Sequence, residues 1–359
     1  MSLLLKKINK KVAPSNYVFA PEWIVLGVNN VCNLHCKMCD VGNQNLESNF
    51  AQNLVGTKPL NMPKELIFKI IDETAEHYPT AKISYAFTEP LVYPHLGESL
   101  AYAESKGLYT SMTTNALNLK RKAPQLLEGR LNEIYVSLDG PQDIHNEIRG
   151  HQKSFQKALE GIETLKESEH CPSIKIICAL TEWNVGKLTE LIDSLAPYGI
   201  DEIGFMHTQF ISQSSADLHN KSKWGDHYPC HDSNVDEIDF TKMNLNELDR
   251  EIKEIRAANY PFRVYFSPEI NEMEDLKDHY LKPEKIMGSH CGAVYSSVMI
   301  KSDGTAIPAH GRCYNLPIGN IYQDNLKSIW KSNVLKKLRS DLNEAGGLFA
   351  GCSRCCSGT

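Results

Sequence analysis

Residues 23–40 read WIVLGVNNVCNLHCKMCD, an apolar run followed by three cysteines spaced Cys32-x3-Cys36-x2-Cys39. The run over 23–29 has the aromatic and β-branched content of a strand, so the cysteines fall on the loop at its C-terminal end. Three thiolates this close grip one metal centre but leave it a ligand short. A structural zinc wants four ligands, and His35 is the candidate fourth. A four-iron cluster held by three cysteines instead keeps one iron open for a substrate or cofactor. Spacing alone leaves zinc, iron and free thiols all standing.

Outward from this stretch, apolar strands alternate with amphipathic helical segments. KISYAF (82–87), YTSMTTN (109–115), EIYVSLD (133–139), SIKIICAL (173–180) and EIGFMHT (202–208) read as strands. MPKELIFKIIDETAEHY (62–78), with Pro63 near its first position, reads as a helix, as do HLGESLAYAESKG (95–107), SFQKALEGIETLKES (154–168) and NVGKLTELIDSLAPYG (184–199). Gly107 and Gly199 stand where a left-handed helix cap is wanted. Such alternation calls for α/β architecture, a parallel sheet with right-handed crossovers. The strands are too short to separate a closed barrel from an open sheet. Residues 210–240 break the pattern as a long polar loop, which usually signals function or disorder. A helix over 245–259 and a strand over 262–267 follow. From residue 286 come a hairpin, SSVMIKSDGTAIPA (296–309), turning on Asp303-Gly304, one helix over 326–342, and a cysteine-rich tail.

The 359 residues carry 38 basic and 44 acidic side chains, a net charge of −6, with a pI near 6.1. That balance offers a nucleic-acid backbone no electrostatic grip. No apolar run approaches the roughly 18 residues of a membrane span. MSLLLKKINKK, with leucines before Lys6, Lys7, Lys10 and Lys11, has the wrong order for a signal peptide. It reads as an arm docked on the body or a surface, or as a plain tail with a solvated basic face. A cytoplasmic, reducing setting follows, in which eleven cysteines serve as metal ligands more readily than as disulfides.

The first cysteine motif, in its place after the first strand of such an array, resembles that of the radical S-adenosylmethionine (SAM) enzymes. The resemblance covers about residues 21–210 and implies a partial (β/α)6 TIM-like barrel with the chemistry at the strand C-termini. It also implies a three-cysteine 4Fe–4S cluster on Cys32, Cys36 and Cys39, whose open iron chelates SAM, fed by a flavodoxin- or ferredoxin-type electron donor. Met38 stands where the family prefers an aromatic, and can pack against adenine. Ala86-Phe87-Thr88-Glu89-Pro90 takes the place of the family's GGEP segment with both glycines replaced, which puts Thr88 and Glu89 among the expected cofactor contacts. Thr114-Asn115-Ala116 resembles the Thr-Asn-Gly turn. Ser137 and Arg149 resemble ribose and carboxylate contacts, chemistry that suits a hydroxyl and a two-pronged guanidinium.

Cys291, Cys313, Cys352, Cys355 and Cys356 form the second group, in a tail too small to build a large core without a metal staple. With the hairpin, Gly319, Asn320 and Trp330, this segment resembles the SPASM extension or its shorter form, twitch. Five cysteines suffice for one auxiliary 4Fe–4S cluster, expected on Cys291, Cys313, Cys352 and Cys355, with Cys356 spare or exchanging with Cys355. Ala309 stands near the usual place of a hairpin cysteine, and Cys313 comes four residues later. A four-cysteine zinc ribbon is the alternative.

The implied layout is an arm over 1–20, a barrel over 21–240 carrying the 210–240 loop, a connecting helix and strand over 241–285, and the small cluster domain over 286–359. The implied activity is a SAM-derived radical abstracting hydrogen from a small polar metabolite, sugar- or aminocyclitol-like, with the auxiliary cluster taking the electron. Peptide modification is the runner-up, because about twenty residues before the first strand are too few for a leader-recognition domain. An epimerase would need a thiol hydrogen donor, for which Cys178 and Cys230 are candidates. His207, His219, His227 and His231 are candidate substrate contacts, read mostly as solvated loop groups. A zinc- or iron–sulfur-bearing interaction protein is the non-enzyme alternative.

Overall fold

A computed structural model of the chain describes residues 3–55 and 58–358. The first two residues of the expected arm and the last residue of the tail lie outside the described residues. The six alternating segments become β1 (Trp23–Leu26), β2 (Lys82–Tyr85), β3 (Thr110–Thr114), β4 (Glu133–Ser137), β5 (Ser173–Leu180) and β6 (Glu202–His207). Neighbours pair in parallel, with Val25 opposite Ser84 and Cys178 opposite Phe205. Crossover helices cover the outer face, and the side chains between the two layers are fully buried: Ile67 and Ile70 from one helix, Ile83 and Ile134 from the sheet. The helix Leu119–Glu128, between β3 and β4, was not anticipated. Its interior Pro124 removes a backbone donor and interrupts the helical pattern in the sequence.

Four strands extend the six-strand unit: the one expected over 262–267, the two of the expected hairpin, and a short last one that was not anticipated. β7 (Arg263–Ser267) pairs in parallel with β6, and β8 (Ser297–Ile300) in parallel with β1. β9 (Thr305–Pro308) and β10 (Gly319–Asn320) then add in antiparallel fashion. Among the described residues the result is one sheet of ten strands in the order β10-β9-β8-β1-β2-β3-β4-β5-β6-β7. The tail is thus built directly onto β1, the strand that feeds the first cysteine loop.

The 210–240 stretch is an ordered excursion. It holds the helix Gln213–Asn220 and a bridge between Ile211 and Ser233, and it buries Phe210, Tyr228 and Cys230. The stretch expected as one helix over 326–342 is two, Leu326–Trp330 and Asn333–Glu344. Ser332 separates them, its hydroxyl accepting from the Leu335 N–H to start the second. The N-terminal arm is a helix, Leu3–Val12, set against the tail by Lys10 over the Tyr295 ring and against the barrel by Lys6 on Glu22. No helix among the described residues is long and apolar enough to cross a membrane.

Candidate functional site

The loop after β1 closes tightly. Cys39 N–H donates to Cys36 O at 3.1 Å, and a Cβ on Gly42 would come within 2.5 Å of that same oxygen. Only glycine lets the following turn pack onto the cysteine loop. The loop opens into a cavity of about 330 Å³ that Cys32, Cys36 and Cys39 line together, with Thr88, Asn115 and Arg149 on the facing walls. Ser137, at the end of β4, and Met38 line it as well. Four of the five expected cofactor contacts therefore converge on the three thiols.

Two donors reach the sulfurs directly. Arg149 Nη1 lies 3.7 Å from Cys36 Sγ, and Asn115 Nδ2 lies 4.0 Å from Cys32 Sγ. Arg149 Nε donates to Asp139 Oδ2 at 2.5 Å. Burial works against the guanidinium charge, but Asp139 and Cys36 more than offset it, so Arg149 is held above its ordinary value. Asp139 is itself held by its N–H donating to His145 Nδ1, 3.0 Å, and by Ala179 N–H donating to its Oδ1, 2.9 Å. Burial pushes the Cys36 thiol up to about 12, with Arg149 opposing. As donors, three convergent thiols beside a cation and an amide fit a negatively charged cluster held by three cysteines.

Glu89 departs from expectation. It does not line the cavity; it is fully buried beneath the wall. Its carboxylate accepts from Thr114 Oγ1 (2.6 Å), Asn115 N–H (2.8 Å) and Leu91 N–H (2.9 Å), so it holds the turn that presents Asn115. The replaced glycines also have a structural trace. Phe87 (φ 64°), Thr88 (φ 44°) and Ala116 (φ 60°) all adopt the left-handed conformation that glycine takes without strain. Thr88 is partly compensated by its hydroxyl, which donates to Asn29 Oδ1 at 2.7 Å.

In the tail, Cys291, Cys313, Cys352 and Cys355 line one further, mostly apolar cavity. Burial pushes the Cys291 thiol up to about 12 and that of Cys313 well above its ordinary value. Cys356 lines a neighbouring cavity, with Arg354 and Met287. Four thiols share one space, and Cys355 also lines the neighbouring one with Cys356; the ligand atoms of His310, Cys355 and Cys356 lie within 4.8 Å of one another. His310, which the sequence did not single out, belongs to this group. Its Nε2 lies 3.8 Å from the Sγ atoms of both Cys355 and Cys356. It directly follows Ala309, whose φ of 61° is also left-handed. The position one residue before it, where a cysteine was expected, was the available signal.

The remaining candidates are accounted for. Cys178 sits on the helix-facing side of β5, fully buried in the core, while its neighbour Ala179 lines the first cavity. Cys230 is buried against Gly351, where a Cβ would come within 2.6 Å of its Sγ. Neither lines the first cavity. His207 and His219, read mostly as solvated, are buried; His207 Nδ1 lies 2.8 Å from Tyr280 Oη and His219 Nε2 lies 2.7 Å from Tyr228 O. His227 and His231 are exposed.

Residues 27–195 match the family model of the radical SAM superfamily, and residues 291–356 match that of the iron–sulfur cluster-binding domain SPASM. A curated relative, Fe-coproporphyrin III synthase of Methanosarcina barkeri, is 27% identical over 195 residues. That match covers 54% of this chain and 45% of the relative, so the chain matches less than half of that protein's length. Among solved structures, Streptococcus suis SuiB bound to S-adenosylmethionine superposes with a TM-score of 0.63 at 17% identity, covering 94% of this chain and 72% of that one. The protein anSMEcpe, with bound AdoMet and the Cp18Cys peptide, gives a TM-score of 0.59 at 19% identity, covering 93% and 85%.

Proposed function

For a chain that belongs to the radical SAM superfamily and ends in a SPASM iron–sulfur domain, we propose a two-electron oxidation of a small polar, sugar- or aminocyclitol-like metabolite. We assign Cys32, Cys36 and Cys39 to the catalytic cluster, and Cys291, Cys313, Cys352 and Cys355 to one auxiliary cluster. When bound, these groups supply reductive cleavage of SAM to a hydrogen-abstracting 5′-deoxyadenosyl radical and an acceptor for the electron the substrate gives up. Arg149, with Asp139 fixing its plane, is set to hold the SAM carboxylate, and Ser137 to meet the ribose. Thr88 and Asn115 offer polar atoms on the opposite wall, and Met38 an apolar face for adenine. A flavodoxin- or ferredoxin-type donor and a cytoplasmic setting belong to the same proposal.

One observation carries the dehydrogenation. Phe87 in the wall of the first cavity stacks on His310, with ring centroids 6.2 Å apart at 28°, and His310 Nε2 is 3.8 Å from Cys355 Sγ. A ring in the wall of the first cavity thus neighbours a ring beside the second cysteine group. An epimerase would need a thiol facing the reacting carbon, and Cys178 and Cys230 both lie elsewhere. A second reading, peptide modification, draws on SuiB solved with its precursor peptide SuiA and anSMEcpe with Cp18Cys.

The test is anaerobic turnover of reconstituted enzyme with SAM, reductant and panels of polyols and of peptides, following 5′-deoxyadenosine by mass. The proposal expects polyols to raise 5′-deoxyadenosine above the substrate-free rate. Stimulation by peptides alone would replace it with the second reading. Colourless protein holding zinc and no iron would remove both.

A further inference from the structure

Arg312 stands in the wall between the two cysteine groups. It lines the cavity of Cys32, Cys36 and Cys39, and it also lines the cavity of Cys291, Cys313, Cys352 and Cys355. It lines a third, smaller space with Gln209, Ser233 and Arg354. No carboxylate lines any of the three, and among the described residues Arg312 makes no ion pair. Arg149, the other cation on the first cavity, is by contrast neutralised by Asp139 at 2.5 Å.

The guanidinium is held in place without being discharged. Its Cζ lies 4.1 Å from the Phe50 ring centroid, and Phe50 in turn meets Phe87 edge-on at 5.9 Å. The backbone on either side is fixed by one side chain. Asn53 Nδ2 donates to Gly311 O at 2.9 Å and to Cys313 O at 2.7 Å. Arg312 N–H donates to His310 Nδ1 at 3.2 Å. An aromatic face occupies one side of the guanidinium plane and leaves its N–H fork free to bind an anion in two-pronged fashion. A half-buried cation with no carboxylate beside it, lining a cavity shared by both cysteine groups, has the chemistry of an anion site.

We infer that Arg312 binds an anionic group of the substrate, a carboxylate or phosphate, and so places the neighbouring carbon between SAM and the auxiliary cluster. This rests on the function proposed above and narrows its substrate to anionic polar metabolites. Arg312 is then a positioning and specificity residue of the substrate, distinct from Arg149 on SAM.

The experiment uses reconstituted, SAM-loaded holoenzyme titrated calorimetrically with inorganic phosphate and with succinate, for wild type, Arg312→Gln and Arg312→Lys. Iron content and the absorbance near 400 nm of each preparation are recorded alongside, so that loss of a cluster is told apart from loss of the anion site. Wild type should bind at least one of the two probes, more weakly at higher salt; which one it prefers separates phosphate from carboxylate substrates. With both clusters intact, Arg312→Gln should weaken that binding at least tenfold, and Arg312→Lys should retain part of it. Unchanged binding in Arg312→Gln, or no binding of either probe to wild type, would overturn the inference. So would a tenfold loss of SAM affinity in Arg312→Gln, which would assign the guanidinium to the SAM carboxylate. A shifted auxiliary-cluster EPR signal with unchanged anion affinity would make Arg312 a counter-ion of the cluster and overturn it as well.

Discussion

Phe87 and His310 lie with their rings near-parallel and offset, 6.2 Å between centroids, although one ends the β2 region and the other follows the β9 hairpin strand. The contact exists because β8 pairs with β1 and carries the hairpin to the mouth of the barrel. Phe87 holds its ring there with a left-handed backbone, φ 64°. The tail is therefore placed by backbone pairing, and its thiols are brought beside the first cavity as a consequence.

The assignment of the catalytic cluster predicts a clean separation of two metal contents. Replacing Cys32, Cys36 and Cys39 together with Ala should remove one cluster of two, about four irons of eight per chain. 5′-Deoxyadenosine formation should stop while the tail cluster stays. Iron analysis and mass detection of 5′-deoxyadenosine check this; reductive SAM cleavage by the triple variant contradicts it.

Arg149→Ala should weaken SAM binding by about 1.5–3 kcal/mol, roughly tenfold to more than a hundredfold, because a carboxylate loses its charge-assisted partner. It also leaves Asp139 buried without its cation, so thermal unfolding must be measured in parallel. An unchanged SAM dissociation constant in a folded variant removes Arg149 from the cofactor contacts.

Glu89→Gln tests the role the structure gives that residue. Three donors converge on its two oxygens, so a carboxamide must turn its NH2 toward an N–H or hydroxyl donor. The unfolding free energy should fall by about 1–3 kcal/mol. An unaltered denaturant midpoint would show that the turn at Asn115 does not depend on the carboxylate.

Stability should also fall in mild acid. Burial lowers His145 and His279 from 6.5 to about 3, so both are neutral in the folded chain. As pH falls below 6.5 the unfolded chain takes up protons that the folded one refuses, and stability drops until about pH 3. The slope is up to about 1.4 kcal/mol per pH unit for each histidine. Urea midpoints from pH 7 to 5 check it; a flat series contradicts it.

The parts legible in the sequence were those written locally. Alternation marked the six barrel strands, and the spacing of Cys32, Cys36 and Cys39 marked one centre at a strand end. What was not legible depends on partners distant in the chain. β8 does not announce that it will lie beside β1, and Ile211 does not announce a bridge to Ser233. Arg312 and His310 read as ordinary loop residues until Asn53 and Phe87 hold them in place. Phe87, Thr88 and Ala116 concealed left-handed turns because glycine, the usual marker, is absent. Glu89 was found by motif, but its hydrogen bonds from Thr114, Asn115 and Leu91 show only in three dimensions, because their donors come from separate turns.

The most direct test of the proposed chemistry is the mass of the product formed by the wild-type holoenzyme in deuterated solvent. A carbinol that gives up a hydrogen atom to the 5′-deoxyadenosyl radical, then a proton and an electron, becomes a ketone two hydrogens lighter. The adjoining cysteine groups, and a first cavity lined by no hydrogen-donating Cys178 or Cys230, predict that loss with no deuterium at the reacting carbon. A product of unchanged mass apart from one solvent deuterium on carbon would contradict it and establish epimerisation in its place.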